Sequence, residues 1–353
     1  MFNDFTPDYR NLVDAARNKA ARRLPVYEHL IAVEQMEAVV GRPMLPLWGG
    51  DDKDLREYFR LQAEFTVKAG YDAVNQEFCL GGAFPGCGAL GSHKIGAVRD
   101  RADYDRYPWE SVPDRYFELF GRYYDALRDT LPPGMKAVGG VGNGIFEAVE
   151  DIVGYMDLCY MKNDDPDLYA SVFRRVGEIA LTVWKRMIKE YGDSFCILRF
   201  GDDMGFKTNT LISHDDLRAH VFPWYKKIVA EVHAAGKPFI LHSCGNIIPV
   251  MDDLINDVRI DAKHSNEDII APFSFWVDTY GDRIGNFGGI DTDVLCRADK
   301  PQMKEYILGV LRACEGKGGV AIGSGNSIPN YIPTESYLYM LQVVREYRGE
   351  KVI

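Results

Sequence analysis

An apolar run, Phe239-Ile240-Leu241, stops at His242-Ser243-Cys244-Gly245. Residues two apart on an extended strand point to the same face, so the imidazole of His242 and the thiol of Cys244 share one side. Imidazole nitrogen and thiolate sulfur together suit zinc, and a catalytic zinc site keeps one position open for substrate. The competing reading is packing, because free cysteine is often buried and behaves as a small hydrophobe. A third ligand has to come from elsewhere. Glu267 is the first choice, since a carboxylate completes many catalytic zinc triads; His264 and Glu77 are the alternatives. Glu267 also has a structural reading, as a helix-start carboxylate with Ser265 or Asn266 as the cap in "SNEDIIAPF".

Three further carboxylates are candidates for acid–base work. Asp202 and Asp203 close the stretch "LRFGDD". They either pair with Arg199 or a nearby lysine, or they face a site. Adjacent strand residues diverge, so one of the two points inward. Clustered carboxylates push their pKa values apart, which supplies a proton donor. Glu77 is the third.

The elements that must hold these groups are short apolar runs alternating with longer helical patterns. Strand candidates fall at 24–30, 72–78, 135–141, 195–203, 238–245, 260–266, 283–291 and 319–326. Between them lie helical stretches such as "DLREYFRLQAEFTVKAG" and "LRAHVFPWYKKIVAEVHAAG", with apolar residues at three-to-four spacing and a terminal Gly. A third, "DPDLYASVFRRVGEIALTVWKRMIKEYG", opens on Asp-Pro and closes on Gly192. Eight strands each followed by a helix predict a (β/α)8 TIM barrel, with an N-terminal helical extension and one domain over 1–353. A doubly wound open sheet is the alternative, but no early strand leads into a Gly-x-Gly-x-x-Gly turn. Barrel chemistry sits at the C-terminal strand ends. Those ends read Glu28 and His29; Asn75, Gln76 and Glu77; Asp202 and Asp203; His242 and Cys244; Lys263, His264, Asn266 and Glu267; Asp291; and Ser324, Asn326 and Ser327. Seven polar ends on apolar stems are more than surface decoration requires.

Composition removes whole classes of function. With 353 residues and 46% hydrophobic content the chain can bury a large core. A formal net charge of −11 lacks the basic footprint of a nucleic-acid binder and disfavours an anionic membrane surface. No apolar run is long enough to span a bilayer, and "MFNDFTPDYRNLVDAARNKAARRLP" has no secretory-signal pattern. Seven scattered cysteines do not form a disulfide framework. A cytoplasmic location is expected. The Gly-rich "CLGGAFPGCGALGSH" after the second strand reads as a loop over the mouth, not as a second metal site. Trp48, Phe84 and Tyr331 on mouth loops offer an apolar wall for a flat substrate. "GSGNSIPNYIPTESY" reads either as a phosphate cradle at a helix start or as a loop lining the site.

Taken together, these residues resemble the uroporphyrinogen decarboxylase superfamily, which includes zinc-dependent, corrinoid-linked methyltransferases beside the decarboxylase itself. The resemblance runs in order over nearly the whole chain. Its most specific pieces are "GDDMGFKTNTLISHDDLRAHVFPWYKKIV", "HSCGN", "IGNFGGIDTDVL" and "GSGNSIPNYIPTESY". It implies a (β/α)8 barrel with a deep site at the C-terminal face. The decarboxylases hold a tetrapyrrole's carboxylates with arginines on the first strand and its loop. The matching "LPVYEHLIAVEQMEAVV" has none between Arg23 and Arg42, so the usual carboxylate reader is missing. Where the decarboxylases place an aspartate after strand two, this chain has Glu77. The methyltransferases carry His-x-Cys after strand five, matched by His242 and Cys244, and a further cysteine after strand eight. Asn326 stands in that last position, so either zinc takes an oxygen ligand or the metal is lost. Replacing a thiolate makes the ion harder, which favours an oxygen-bearing donor. The resemblance thus implies a zinc methyltransferase passing a methyl group from an aryl methyl ether or methylamine to a corrinoid protein. A decarboxylase or lyase acting on a small acid, a methylcorrinoid:thiol methyltransferase and a non-catalytic binding barrel are the alternatives. Family members often pair, which points to a homodimer.

Overall fold

The computed structural model of the chain describes residues 5–91 and 94–350. Seven parallel strands form one sheet in chain order. They are β1 (Val74–Cys79), β2 (Ala137–Gly142), β3 (Phe195–Gly201), β4 (Phe239–His242), β5 (Ala262–His264), β6 (Gly285–Ile290) and β7 (Val320–Ser324). Five fall inside stretches expected from the sequence, while β1 and β2 each run one residue past theirs, to Cys79 and Gly142. Strands β2 to β7 are buried at every position, as parallel strands covered on both faces must be.

The eighth expected strand, 24–30, does not join as a full ladder. It touches β7 through isolated bridges, Val26 to Ile322 and Ile31 to Ile328. Tyr27 N–H donates to Ile322 O at 2.9 Å, and Ile322 N–H to Pro25 O at 3.0 Å. The pairing then breaks for a chemical reason. The Ser324 amide donates to the Glu28 carboxylate at 2.9 Å instead of to a main-chain carbonyl, and the Ser324 hydroxyl donates to the same group. Gly323 permits the approach, because a Cβ there would lie 1.7 Å from Tyr27 O. No ladder joins this segment to β1. The gap holds a cavity of about 190 Å³ lined by Leu30, Ile31, Trp48, Gln62, Tyr71 and Asn75, among others. The barrel is therefore open along one seam, a correction to the closed eight-stranded form.

The helices form for local reasons. Asp51 and Asp54 build a reciprocal cap on Asp52–Ala69, and Asp165 caps Pro166–Tyr191. The helix expected over 217–236 is interrupted. Pro223 has no N–H to offer the preceding turn, and the chain widens into a π-turn over Leu217–Val221 before the α-helix Phe222–Ala234. The N-terminal extension is the helix Arg10–Ala16. Its Leu12, Ala15 and Ala16 pack with Ile197, Ile240, Phe287 and Ala321 and fill the N-terminal end of the barrel. Open space for chemistry is left at the other end. Among the described residues no helix is long and apolar enough to cross a membrane.

Burial raises the Glu28 carboxyl to about 8, from an ordinary 4.5, against the lowering effect of Ser324. A carboxyl whose folded pKa is raised holds its proton longer in the folded chain than in the unfolded one. Its contribution to stability is full below the unfolded value and is lost as pH rises through the folded value. Glu28→Gln should flatten the fall in Tm between about pH 5 and pH 8 and be the more stable protein at the upper end, by on the order of a few kcal/mol. Thermal melts by circular dichroism across that range check this; parallel slopes for variant and wild type would contradict it.

Candidate metal centre

Three strand ends build the centre of the site. β4 delivers His242, β5 delivers His264, and β7 supplies the Ser324 carbonyl. His264 Nε2 lies 3.1 Å from Ser324 O. A carbonyl only accepts, so Nε2 carries the proton. Burial holds the His264 pKa down to about 3, so the ring is neutral and its Nδ1 is a bare acceptor. His242 Nδ1 lies 2.7 Å from that atom and must donate to it. Burial, followed by repulsion from His264, also holds the His242 pKa well below its ordinary value. The lone pair of His242 is thereby forced onto Nε2.

That nitrogen faces the two other groups a metal would use. Cys244 Sγ lies 3.4 Å from His242 Nε2, and Asp203 Oδ1 lies 3.7 Å from it. The ligand atoms of Asp203, His242 and Cys244 all fall within 4.8 Å of one another. Asp203 is fixed by the Cys244 amide, which donates to its Oδ1 at 2.8 Å. Gly245 turns the chain directly after Cys244 with φ +77°, and a Cβ there would lie 2.1 Å from the Gly205 carbonyl carbon. The loop after β4 thus lies on the loop after β3, which carries Asp203.

Asp202 points the other way, as expected of its neighbour. It is fully buried and accepts from the amides of Phe146 at 2.9 Å and Glu147 at 2.7 Å, and from the Tyr225 hydroxyl. It therefore anchors the start of the helix Ile145–Val153. Burial raises its pKa to about 6, opposed chiefly by Tyr225 and the two amides. The same helix brings in Glu147, whose Oε1 accepts from the Asp203 amide at 3.3 Å and Oε2 from Asn143 Nδ2 at 2.9 Å. Burial, with Asp202 and Asp203 nearby, holds the Glu147 pKa well above its ordinary value.

Glu77 is bound to Arg199 rather than left free. Its Oε2 accepts from Arg199 Nε at 3.1 Å, and both side chains are almost wholly buried. Arg199 also donates to the Tyr27 hydroxyl at 2.6 Å and to the His29 carbonyl. Of the two readings of Asp202 and Asp203, a pairing with Arg199 is not the one seen, since Arg199 pairs with Glu77. His29 stacks on His242 with ring centres 3.8 Å apart, which adds a flat wall behind the metal-facing imidazole. Lys263 is buried, donates to Ser265 O and lies 4.0 Å over the Trp276 ring; burial lowers its pKa to about 7.

The other expected residues fall as follows. Asn326 reaches the centre, its Nδ2 3.2 Å from Cys244 Sγ, and the Ser265 hydroxyl lies 3.6 Å from the same sulfur. Glu267 lies beside the centre, where its Oε1 accepts from the Gly245 amide at 3.1 Å. It belongs to neither group of mutually close ligand atoms among the described residues, one of which is Asp203, His242 and Cys244. Glu267 opens a turn, and the next helix begins only at Phe273. Asp291 caps the helix Thr292–Arg297. Phe84 is core and Trp48 packs on Tyr58 and Tyr123, while Tyr331 is exposed. The Gly-rich loop is tied to Asp151, which accepts from the Gly88 and Leu90 amides at 2.9 and 3.2 Å; its Ser92 and His93 lie outside the described residues. Sequence reasoning missed Glu147 and the coupling of His264 to His242. The signal for Glu147 was the missing polar end: "GVGNGIFEAVE" follows β2, whose crown position the helix fills.

The donor set fits a zinc ion. One neutral imidazole with its lone pair directed, one thiol and one carboxylate converge, and nitrogen, sulfur and oxygen ligands in this mixture suit zinc.

Comparison with known proteins places this geometry among relatives. A family model described as uroporphyrinogen decarboxylase (URO-D) matches residues 92–347. No curated protein matches. Among solved structures, a methyltransferase from Methanosarcina mazei superposes with a TM-score of 0.71 at 18% identity, covering 98% of this chain and 99% of that one. A candidate vitamin-B12-independent methionine synthase from Listeria monocytogenes gives 0.48 at 12% identity, covering 98% and 99%. At these identities the first likeness is one of fold.

Purified protein should carry about one zinc per chain, and His242→Ala or Cys244→Ala should lose it. His264→Ala should keep the ligands but lower zinc affinity about 10–100-fold, the usual cost of removing a hydrogen-bond partner behind a metal-binding histidine. Competition with a zinc chelator measures both. Unchanged affinity in His264→Ala would remove the imidazole relay, and negligible zinc in wild type grown zinc-replete would remove the metal.

Proposed function

The chain belongs to the uroporphyrinogen decarboxylase family, and on that premise we propose that it is a zinc-dependent methyltransferase moving a methyl group from a small methylated donor to a corrinoid protein. The observation that carries this reading is the directed lone pair of His242 Nε2 facing Cys244 Sγ and Asp203 Oδ1. The name of the Methanosarcina mazei relative, a methyltransferase, agrees with it.

His242, Cys244 and Asp203 hold the metal in this reading, with Glu267 beside them on the Gly245 amide. When bound, zinc supplies Lewis acidity that makes a donor's oxygen or nitrogen a better leaving group. Asn326 is neutral where a second thiolate would add negative charge, which keeps the centre electrophilic. A half-turn of its amide exchanges the Nδ2 now near Cys244 for Oδ1, an oxygen suited to a metal. A corrinoid protein would supply the nucleophile that accepts the methyl group when the donor's carbon–heteroatom bond breaks. The heteroatom keeps the bonding pair and takes a proton. Glu147 is the proton source, because burial and its acidic neighbours let it keep a proton to higher pH than an ordinary carboxyl. Asp202 holds the helix that carries Glu147. Glu77 keeps Arg199 occupied, so that guanidinium is not open to a substrate carboxylate. This counts against the decarboxylase alternative, which needs a cationic clamp.

Chelation of the wild type and the Cys244→Ala substitution should each cost on the order of 10²–10³ in the rate of methylating a reduced corrinoid protein. The donors to supply are methoxylated aromatics and methylamines, with a corrinoid protein from the same source. Adding zinc back should restore only the wild type. If chelated enzyme releases carbon dioxide from a small acid and no donor methylates the corrinoid, the lyase takes the place of this reading.

A further inference from the structure

The seam between the stretch at 24–31 and β1 is more than a missing ladder. The cavity of about 190 Å³ in it shares no lining residue with Asp203, His242 and Cys244. Its wall joins three elements: Leu30 and Ile31 at the end of the first segment, Asn75 and Gln76 on β1, and Gln62 and Phe65 on the helix Asp52–Ala69. Leu30, 41% exposed, lies on the solvent side, while Phe65 and Tyr71 are buried.

The space is large enough for one ring. A cavity of about 150 Å³ walled by apolar side chains takes up benzene, and this one is larger. Trp48, Tyr58, Phe65 and Tyr71 give it aromatic sides, against which a flat molecule packs. Among the described residues no carboxylate, ammonium or guanidinium lines it. A charged ligand would give up its hydration there with no counter-charge in return, so the fitting occupant is neutral.

Several polar groups on the wall are satisfied by one another. The hydroxyls of Tyr71 and Tyr337 share a hydrogen bond of 2.7 Å, and Thr66 Oγ1 donates to Gln62 O at 2.8 Å. Gln76 Oε1 accepts from Gln62 Nε2 at 3.3 Å, and Gln76 Nε2 donates to Glu77 O at 3.1 Å. Gln62 Nε2 also donates to Asn75 O at 3.0 Å. That bond fixes which way round the Gln62 amide lies, because a flipped amide would set its oxygen against a carbonyl oxygen. Gln62 Oε1 is therefore left buried with no donor, and so is Asn75 Oδ1. Gln62 is only 6% exposed. A buried acceptor without a donor is costly. Water would fill the space only with several molecules, each seeking about three hydrogen bonds, which a mainly aromatic and aliphatic wall is poorly placed to supply. One molecule with an apolar ring and a single donor meets both demands.

We propose that the seam cavity is a binding site for a small neutral ring compound with one O–H or N–H donor, of which phenol is the simplest. The ring packs among Trp48, Tyr58 and Phe65, and the donor serves Gln62 Oε1 or Asn75 Oδ1. The ligand then touches both lips of the seam, at Leu30 and at Asn75. The site is separate from the metal centre and stands without the methyl-transfer reading.

Phenol, benzene and benzoate are titrated into the full chain by calorimetry, with melting temperature as a second readout. Phenol should bind saturably, about threefold to tenfold tighter than benzene, the contribution of one hydrogen bond. Benzoate, a similar ring with a charge, should not bind. Asn75→Leu and Gln62→Met each remove one acceptor, and the one that serves the ligand should abolish phenol's advantage over benzene. Asn75 makes no side-chain hydrogen bond among the described residues, so its replacement should leave the fold intact. Cys244→Ala, at the other site, should leave phenol affinity unchanged. No saturable heat and no melting shift with phenol overturns the proposal, as does equal phenol affinity in wild type and both seam variants. Binding lost in Cys244→Ala but kept in Asn75→Leu and Gln62→Met puts the ring at the metal centre and equally overturns it. Benzoate binding as tightly as phenol removes the neutral class.

Discussion

A carbonyl oxygen can only accept a hydrogen bond, and at Ser324 that restriction governs the centre of the molecule. It fixes the proton of His264 on Nε2, which leaves Nδ1 bare, which draws the His242 proton to its own Nδ1. The nitrogen that remains faces Cys244 and Asp203. Strands β4, β5 and β7 must therefore be in register before one lone pair is aimed. The ordering is set by the sheet: β4 pairs with β5 so that His242 stands beside His264, and β6 lies between β5 and β7. An imidazole on an isolated loop would populate both tautomers and lose part of its affinity for an ion to that choice.

The acidic residues around this centre are sorted by where the backbone turns. Asp202 and Asp203 are neighbours in sequence, yet one is wholly consumed by a helix start and the other reaches the centre. Asp202 spends both oxygens on Phe146, Glu147 and Tyr225, a structural duty that carries Glu147 into position. Glu77 is tied to Arg199, and Arg199 in turn holds the carbonyl of His29. The ring of His29 lies flat on His242. A buried ion pair of this kind contributes little net stability; its evident effect here is to hold the stretch at Tyr27–His29 against the inside of the sheet.

Much of this was legible in the sequence, for identifiable reasons. Parallel strands covered on both faces write themselves as apolar runs, and all seven laddered strands coincide with the stretches so marked to within one residue, at the ends of β1 and β2. Only one of Asp202 and Asp203 turns inward, and His242 and Cys244 come together, as the sequence led one to expect, although Asp202, Asp203 and Cys244 lie in the loops just past β3 and β4, not on the strands. What the chain order hides are groups that meet across the fold. Asp203 was read as an acid–base group, and only the loop contact through Gly205 and Gly245 brings it beside Cys244. A pairing of Arg199 with Asp202 or Asp203 was one of two open readings, because nothing in the chain order reveals that Glu77 lies across from it. The stretch at 24–30 has strand composition, but a side chain, Glu28, intercepts the amide that a ladder would use. Pro223 was visible in a helical pattern and its effect, a widened turn, was not drawn.

The open seam between the stretch at 24–30 and β1 has a mechanical meaning. A closed hoop resists any change in circumference, because every strand is hydrogen-bonded on both sides. A hoop cut at one place can flex there while each remaining ladder stays intact. In this chain the cut falls between the stretch carrying His29 and the strand carrying Glu77, the two elements that Arg199 bridges. Arg199 therefore acts as a clasp across the split. The width of the mouth is coupled, through that clasp and the His29 ring, to the wall behind His242, so the rim and the imidazole at the centre belong to one elastic body.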